Sequence, residues 1–269
     1  MGSRNLFRVR KRPLVLLAVT LMAAGAAPPT AAEEPLVTDR PDFTESSSSV
    51  GKGVFQLEGG AGFTRLAGGG EITTLGEVLA RWGVAETLEL RFQLPTYEWD
   101  NFGNGNQSGF TGSGIGLKLD FAQGAGRGLI GGMEAALIAS TTIPTGTAEF
   151  ASSKWQPSAL IATSWELSPG VGLGANIGAG RPADDDNRYT TFWVSAALGI
   201  EVARATSVFF ELYGFNREEE RGPNTATLQI GTTYLVNTDF QLDLRAARRL
   251  TDDGPDLLVG VGLSWRLGG

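Results

Sequence analysis

The sequence predicts an all-β chain, an antiparallel up-and-down transmembrane β-barrel of about twelve strands that follows a cleaved signal peptide. Three observations predict it. Stretches of about ten residues alternate apolar and polar side chains, the period-two pattern of a strand. The clearest are Leu88-Glu89-Leu90-Arg91-Phe92-Gln93-Leu94 and Ile115-Gly116-Leu117-Lys118-Leu119-Asp120-Phe121. Tight turns and longer polar connections follow one another in strict alternation along the chain. The polar faces are heavily charged, which suits a barrel that shows apolar residues to lipid and charge to an enclosed lumen. A soluble β-sandwich, the alternative fold, would have to solvate Glu89, Arg91, Lys118 and Asp120 on an open sheet, and nothing in the loop alternation calls for that.

The first element, residues 1–32, carries Arg4, Arg8, Arg10, Lys11 and Arg12, then an apolar run from Leu14 to Ala24, and ends Thr30-Ala31-Ala32. That is the layout of a secretory signal peptide, and the run is too short to span a bilayer comfortably. Its removal takes away five basic residues and no acid, so the net charge moves from −7 to −12. An acidic exported chain has no use for nucleic acid, which requires a basic patch. There is no Cys and no His. Disulfides, thiolate nucleophiles, the usual general base and the commonest zinc ligand are therefore excluded, and no cofactor and no enzymatic activity are expected.

Residues 33–52, rich in Ser and acids, read as a periplasmic N-terminal segment, with Asp39, Arg40 and Asp42 placed to dock it inside the lumen or at its mouth. Residues 53–269 read as the outer-membrane barrel. Twelve strand candidates fall at 53–65, 72–82, 87–96, 114–122, 129–143, 157–167, 171–180, 190–202, 207–215, 225–236, 239–249 and 256–267. The tight connections are 83–86, 123–128, 168–170, 203–206 and 237–238. The longer ones include 97–113, 144–156, 181–189, 216–224 and 250–255, and only the first hairpin loop, 67–71, is short on that side. Short periplasmic turns, longer outer loops and an even strand number are the pattern of an outer-membrane barrel of a Gram-negative bacterium, with both termini periplasmic. Aromatic residues form two bands, as interfacial girdles would. Tyr97, Trp99, Trp155, Tyr189, Phe192 and Phe215 lie near the longer loops; Trp82, Phe121, Trp165, Tyr234 and Phe240 lie near the tight turns.

The inward parity selects Glu58, Glu77, Arg81, Glu89, Arg91, Gln93, Lys118, Asp120, Glu134, Glu211, Asp243 and Arg245 as lumen-lining candidates. Burying such charges unpaired would cost several kcal/mol each, so they must meet water or one another. Twelve strands give a backbone diameter of roughly 24 Å and leave about 8–10 Å between side chains. An aqueous path and an ion-paired closure are equally open at this point.

Thr38-Asp39-Arg40-Pro41-Asp42-Phe43-Thr44-Glu45-Ser46, followed by Gly53-Val54-Phe55-Gln56-Leu57-Glu58, resembles the start of an outer-membrane "transporter" family labelled with the MetA-pathway of phenol degradation. Ile143-Pro144-Thr145-Gly146, Glu211-Leu212-Tyr213-Gly214 and Asp253-Gly254-Pro255-Asp256 extend the resemblance over nearly all of the mature chain. It implies an outer-membrane barrel, a label of pathway context and no particular solute.

Asp184, Asp185 and Asp186 are weak candidates for a metal in an outer loop, through hard oxygen ligands, and a solvated acidic tip is the simpler reading. Gly170-Val171-Gly172-Leu173-Gly174 lacks the strand–turn–helix setting of a dinucleotide site. Three functions remain: a passive channel for small solutes, aromatic or hydrophobic ones included; a closed structural or adhesive barrel with an ion-paired lumen; and a lipid-modifying membrane enzyme. The channel fits best. Its expected partners are outer-membrane lipid and lipopolysaccharide, the barrel-assembly machinery and a small-molecule solute.

Overall fold

The computed structural model describes residues 34–103, 105–124, 132–184 and 187–268, so the expected signal peptide and the loop residues Asp185 and Asp186 lie outside the described residues. Every regular element in that range is a strand. The strands are β1 (Phe55–Leu66), β2 (Glu71–Ala85), β3 (Leu88–Gln93), β4 (Tyr97–Asn101), β5 (Asn106–Phe110), β6 (Ser113–Gln123), β7 (Glu134–Ile143) and β8 (Gln156–Ser168). They continue as β9 (Val171–Gly180), the short hairpin β10 (Ala183–Asp184) and β11 (Asn187–Arg188), then β12 (Thr191–Ala203), β13 (Thr206–Phe215), β14 (Thr225–Asn237), β15 (Phe240–Arg249) and β16 (Pro255–Leu267).

All but β10 and β11 belong to one antiparallel sheet, which closes because β1 pairs with β2 on one edge and with β16 on the other. The seam runs from Phe55 opposite Leu267 to Leu66 opposite Pro255. Closure removes the unpaired edges that a sheet would otherwise carry into hydrocarbon. Two staves of the wall are each made of two strands. β3 and β4 both lie along β2, separated at Leu94-Pro95-Thr96, where proline has no N–H for the ladder. β5 and β6 are separated at Thr111-Gly112. Counted by staves, the barrel has twelve strands.

Two details depart from the sequence expectation. The stretch 97–113 is largely a hairpin, β4 with β5, that extends the wall instead of forming an irregular loop. β2 also carries a bulge, with Gly76 at φ 110° and Glu77 at φ 43°. An extra residue in one strand shifts side-chain parity. Leu75 is accordingly exposed outside, while Glu77 turns inward to Arg40 and Arg245.

The outer face is a hydrocarbon surface. Leu119, Leu137, Ile161, Ile177 and Val194 form one cross-strand row, all exposed. The interior is the reverse. The largest side chains that are fully shielded are Arg81, Lys118, Gln56, Glu58, Glu89 and Glu211. This inversion is that of a transmembrane barrel in the outer membrane. Of the expected aromatic bands, Trp82, Phe121 and Tyr234 at one end, and Trp99, Trp155 and Phe192 at the other, are exposed. Two assignments are corrected. Tyr189 is buried and donates its hydroxyl to the Glu218 carbonyl in the loops. Phe215 is packed against Trp193 and Phe43.

Candidate functional site

The polar lumen is occupied by the chain that precedes β1. Residues 34–54 enter at the tight-turn end, where Leu36 donates to the Thr238 carbonyl (2.9 Å) and Arg266 to the Glu34 carbonyl (3.0 Å). The segment rises to an apex at Phe43 and descends to the same end. There Gly53 donates to the Gly83 carbonyl and Gly83 to the Val54 carbonyl. A side chain at Gly83 would put its Cβ 1.6 Å from the Gly51 carbonyl oxygen, so this approach requires glycine.

On the rising limb, Asp39 is the hub. Its carboxylate accepts from Arg91 (2.6 Å), Lys118 (3.0 Å) and the Ser46 amide (2.8 Å), and lies 3.4 Å from Arg81. Its own amide donates to Glu58 (3.0 Å). Arg81 also pairs with Glu58 (2.9 Å) and Glu89 (2.8 Å), and Arg91 with Glu89 (3.0 Å). The Arg40 guanidinium reaches Glu77 (2.8 Å) and Asp243 (3.3 Å). It lies where a Cβ at Gly60 or Gly262 would come within 2.4 Å of it, so those strand glycines make its berth.

At the apex, the amides of Phe43 and Thr44 donate to Glu211 (2.9 and 2.6 Å), and the Thr44 hydroxyl bonds Ser195 (2.8 Å). On the descending limb, Glu45 pairs with Arg91 (2.5 Å). Ser47 and Ser48 donate to Glu134, Ser49 donates to Asp120 (2.8 Å) and Val50 to Glu89 (3.0 Å). Arg245 bonds both Glu77 (3.0 Å) and the Pro41 carbonyl (3.3 Å).

Of the twelve residues selected by parity, Glu58, Glu77, Arg81, Glu89, Arg91, Lys118, Asp120, Glu134, Glu211, Asp243 and Arg245 all bond residues 37–50. Gln93 is exposed and does not join them. Inward parity also selects Gln56, which is buried, but sequence reasoning does not select Thr44, Glu45 or Ser195. The run Thr44-Glu45-Ser46-Ser47-Ser48-Ser49 held the signal for this: short hydroxyls follow an Asp-Arg-Pro-Asp stretch and can satisfy acids within a confined lumen. Of the acidic outer-loop run, Asp184 accepts from the Glu220 amide (2.6 Å), and no group of metal-ligating side chains occurs among the described residues.

One wall of the lumen is different. Lys118, Ile138, Leu160, Gly178, Trp193 and Phe215 follow one another across β6, β7, β8, β9, β12 and β13. Beyond the lysine this row is apolar. Trp193 packs on the buried group Ile138, Leu160 and Ala162. Its indole lies across Gly178, where a Cβ would meet it at 2.2 Å. Phe43 stacks on Tyr213 (centroids 4.5 Å, 21°) and meets Phe215 edge-on (5.4 Å, 71°). The lumen is thus two-faced, with ion pairs toward β1–β3, β6 and β15 and aromatic rings toward β12 and β13.

At the long-loop end a cavity of about 760 Å³ opens between the loops, lined by Glu98, Asp100, Pro144, Glu149, Phe150 and Gln156 among others.

A family model described as "Putative MetA-pathway of phenol degradation" matches residues 38–267, which includes most of the loop and all of the barrel strands. Among solved structures, the fold is similar to the NanC porin, at 8% identity and a TM-score of 0.53, over 79% of this chain and 100% of that one. It is also similar to the KdgM porin in complex with disordered oligogalacturonate, at 8% identity and a TM-score of 0.52, over 78% and 98% of the two chains. At such identity the likeness is one of fold. No curated protein matches the sequence.

Proposed function

The chain belongs to the family labelled with the MetA-pathway of phenol degradation, and from that premise we propose that it is a passive outer-membrane channel for small solutes, closed at rest by its own N-terminal loop. One observation carries this reading. The lumen charges form more ion pairs with the N-terminal segment than with one another across the wall. The wall-to-wall pairs Arg81–Glu58, Arg81–Glu89 and Arg91–Glu89 join neighbouring strands or lie within one, Arg245–Glu77 joins β15 to β2, and Arg40, Arg81, Arg91 and Lys118 all form ion pairs between loop and wall. A structural barrel closed for good would place most of its ion pairs between non-adjacent strands of the wall, as only Arg245–Glu77 does among the described ion pairs. Here, with the loop withdrawn, the charges on β1–β3, β6, β13 and β15 would line a water-filled path, as fixed charges do in selective pores.

The tight-turn end, where residue 34 enters, is taken as periplasmic and the long-loop end as external. Residues 1–32 supply export; outer-membrane lipid and lipopolysaccharide surround the barrel, and the assembly machinery inserts it. The two-faced lumen suits solutes with an apolar body and a polar group.

The absence of native cysteine makes the test clean. Thr44→Cys with Ser195→Cys, whose hydroxyl oxygens are 2.8 Å apart, should tie the apex to the wall by a disulfide. In a planar bilayer the oxidised variant should be silent and should give discrete conductance steps after reduction. Deleting residues 34–50 should give the same steps without reductant. Equal behaviour of oxidised and reduced protein, with a silent but folded deletion, would overturn the channel reading.

A further inference from the structure

At the loop apex, the only aromatic side chain of residues 34–54, Phe43, is held among aromatic rings of the wall. Trp193, Tyr213 and Phe215 come from adjacent strands β12 and β13, and Trp193 stays in place because Gly178 leaves room for its indole and Ile138 and Leu160 back it. The cradle is therefore built by the wall and does not depend on the loop. Phe43, Trp193, Tyr213 and Phe215 are each only partly buried, so one side of the cluster meets lumen water. Stacked and edge-on geometry at 4.5 and 5.4 Å is what a single six-membered ring finds favourable in such surroundings. Directly beside the ring, Glu211 accepts the Phe43 and Thr44 amides, so ring and backbone are held at one place.

We propose that Trp193, Tyr213 and Phe215 form a binding subsite for one aromatic ring, that Phe43 occupies it as an internal ligand, and that a ring-bearing solute opens the channel by taking its place. This deepens the channel reading and rests on it. The exchange costs little at the cradle, because one ring replaces another. What the loop loses is its apex anchor, after which the bonds of Glu211 and Ser195 to Thr44 are exposed to water. An aliphatic solute of equal size gains apolar burial but not the ring geometry, so selectivity for rings is the signature.

The test compares benzyl alcohol with cyclohexylmethanol, similar in size and applied at equal bilayer loading, on the wild-type chain in planar bilayers. Benzyl alcohol should raise the open probability saturably and about fivefold more than cyclohexylmethanol, the ratio expected of one ring–ring contact. Phe43→Leu should raise the resting open probability and lose the difference between the two alcohols. Tyr213→Leu with Phe215→Leu should lose that difference while the 34–50 deletion of the same variant still conducts. If the two alcohols act alike on a wild-type protein whose 34–50 deletion conducts, the ring subsite is wrong and the channel stands. If benzyl alcohol instead blocks the open steps and never increases them, the release step is wrong. If the folded deletion and the reduced cysteine variant are both silent, the channel reading itself fails.

Discussion

Asp39 shows how much can rest on one side chain. Its carboxylate meets Arg81, Arg91 and Lys118, and Arg81 and Lys118 are fully shielded from solvent. Breaking a buried network by removing one partner costs about 3–5 kcal/mol, because the remaining charges stay desolvated. The barrel can avoid that cost by expelling the loop and letting water in. Asp39→Asn should therefore open the channel at rest while leaving the heat-shifted gel mobility of the folded barrel unchanged; a closed channel in that variant would remove Asp39 from the role. Proton linkage acts at a second loop residue. Burial, then the nearby Glu211 carboxylate, push Asp42 well above the usual carboxylate range. Burial alone would raise Asp39 too, but Arg81, Lys118 and Arg91 outweigh it and hold Asp39 well below that range. A raised value means docking takes up a proton, so docking strengthens as pH falls from the docked Asp42 value toward the ordinary one near about 4. The contribution of Asp39 is complete above its ordinary value and is lost only below it. Open probability should fall on mild acidification, and Asp42→Asn should flatten that dependence.

The strands were legible because alternation is a local property that closure does not alter. Leu88-Glu89-Leu90-Arg91 reads correctly whether or not one knows that Glu89 meets Arg81. The outward row shows the corresponding vulnerability. Ile177 is 61% exposed in mid-strand between Ile161 and Val194, so Ile177→Arg should cost about 2–4 kcal/mol against lipid and reduce refolding yield, whereas a yield like that of wild type would place this row away from the membrane. What escaped the sequence was not periodic. The Gly76-Glu77 bulge is one extra residue, invisible in a two-residue repeat until the partner register is known. The β4–β5 hairpin is made of Tyr97-Glu98-Trp99-Asp100-Asn101 and Asn106-Gln107-Ser108-Gly109-Phe110, too polar and too short to separate from a loop. Proximity to loops places Phe215 and Tyr189 in the outer aromatic band, while the direction of a side chain depends on strand parity and on loop packing. The charged residues of the lumen could be chosen by parity, but their partner could not, since an ion pair spanning 79 residues, as Lys118 and Asp39 form, leaves no mark in spacing.

At the scale of the whole molecule, the proposed closure makes the loop a tethered ligand of its own barrel. A short tether gives an effective concentration of about millimolar, which lets modest contacts hold a site closed. A synthetic peptide of residues 34–54 added from the periplasmic side to the 34–50 deletion should restore silence in the millimolar range. The same peptide with Asp39→Asn should fail to do so, and steps that continue unchanged with the unmodified peptide would show that closure needs more than the loop's own contacts.

The Asp39 contacts carry one more consequence. Its backbone and carboxylate touch Glu58 on β1, Arg81 on β2, Arg91 on β3 and Lys118 on β6, four staves that are adjacent in the wall and the earliest in the chain. Binding four neighbouring strands to one residue fixes the curvature of that third of the wall. The segment that fills the lumen is thus also a brace for the wall that surrounds it.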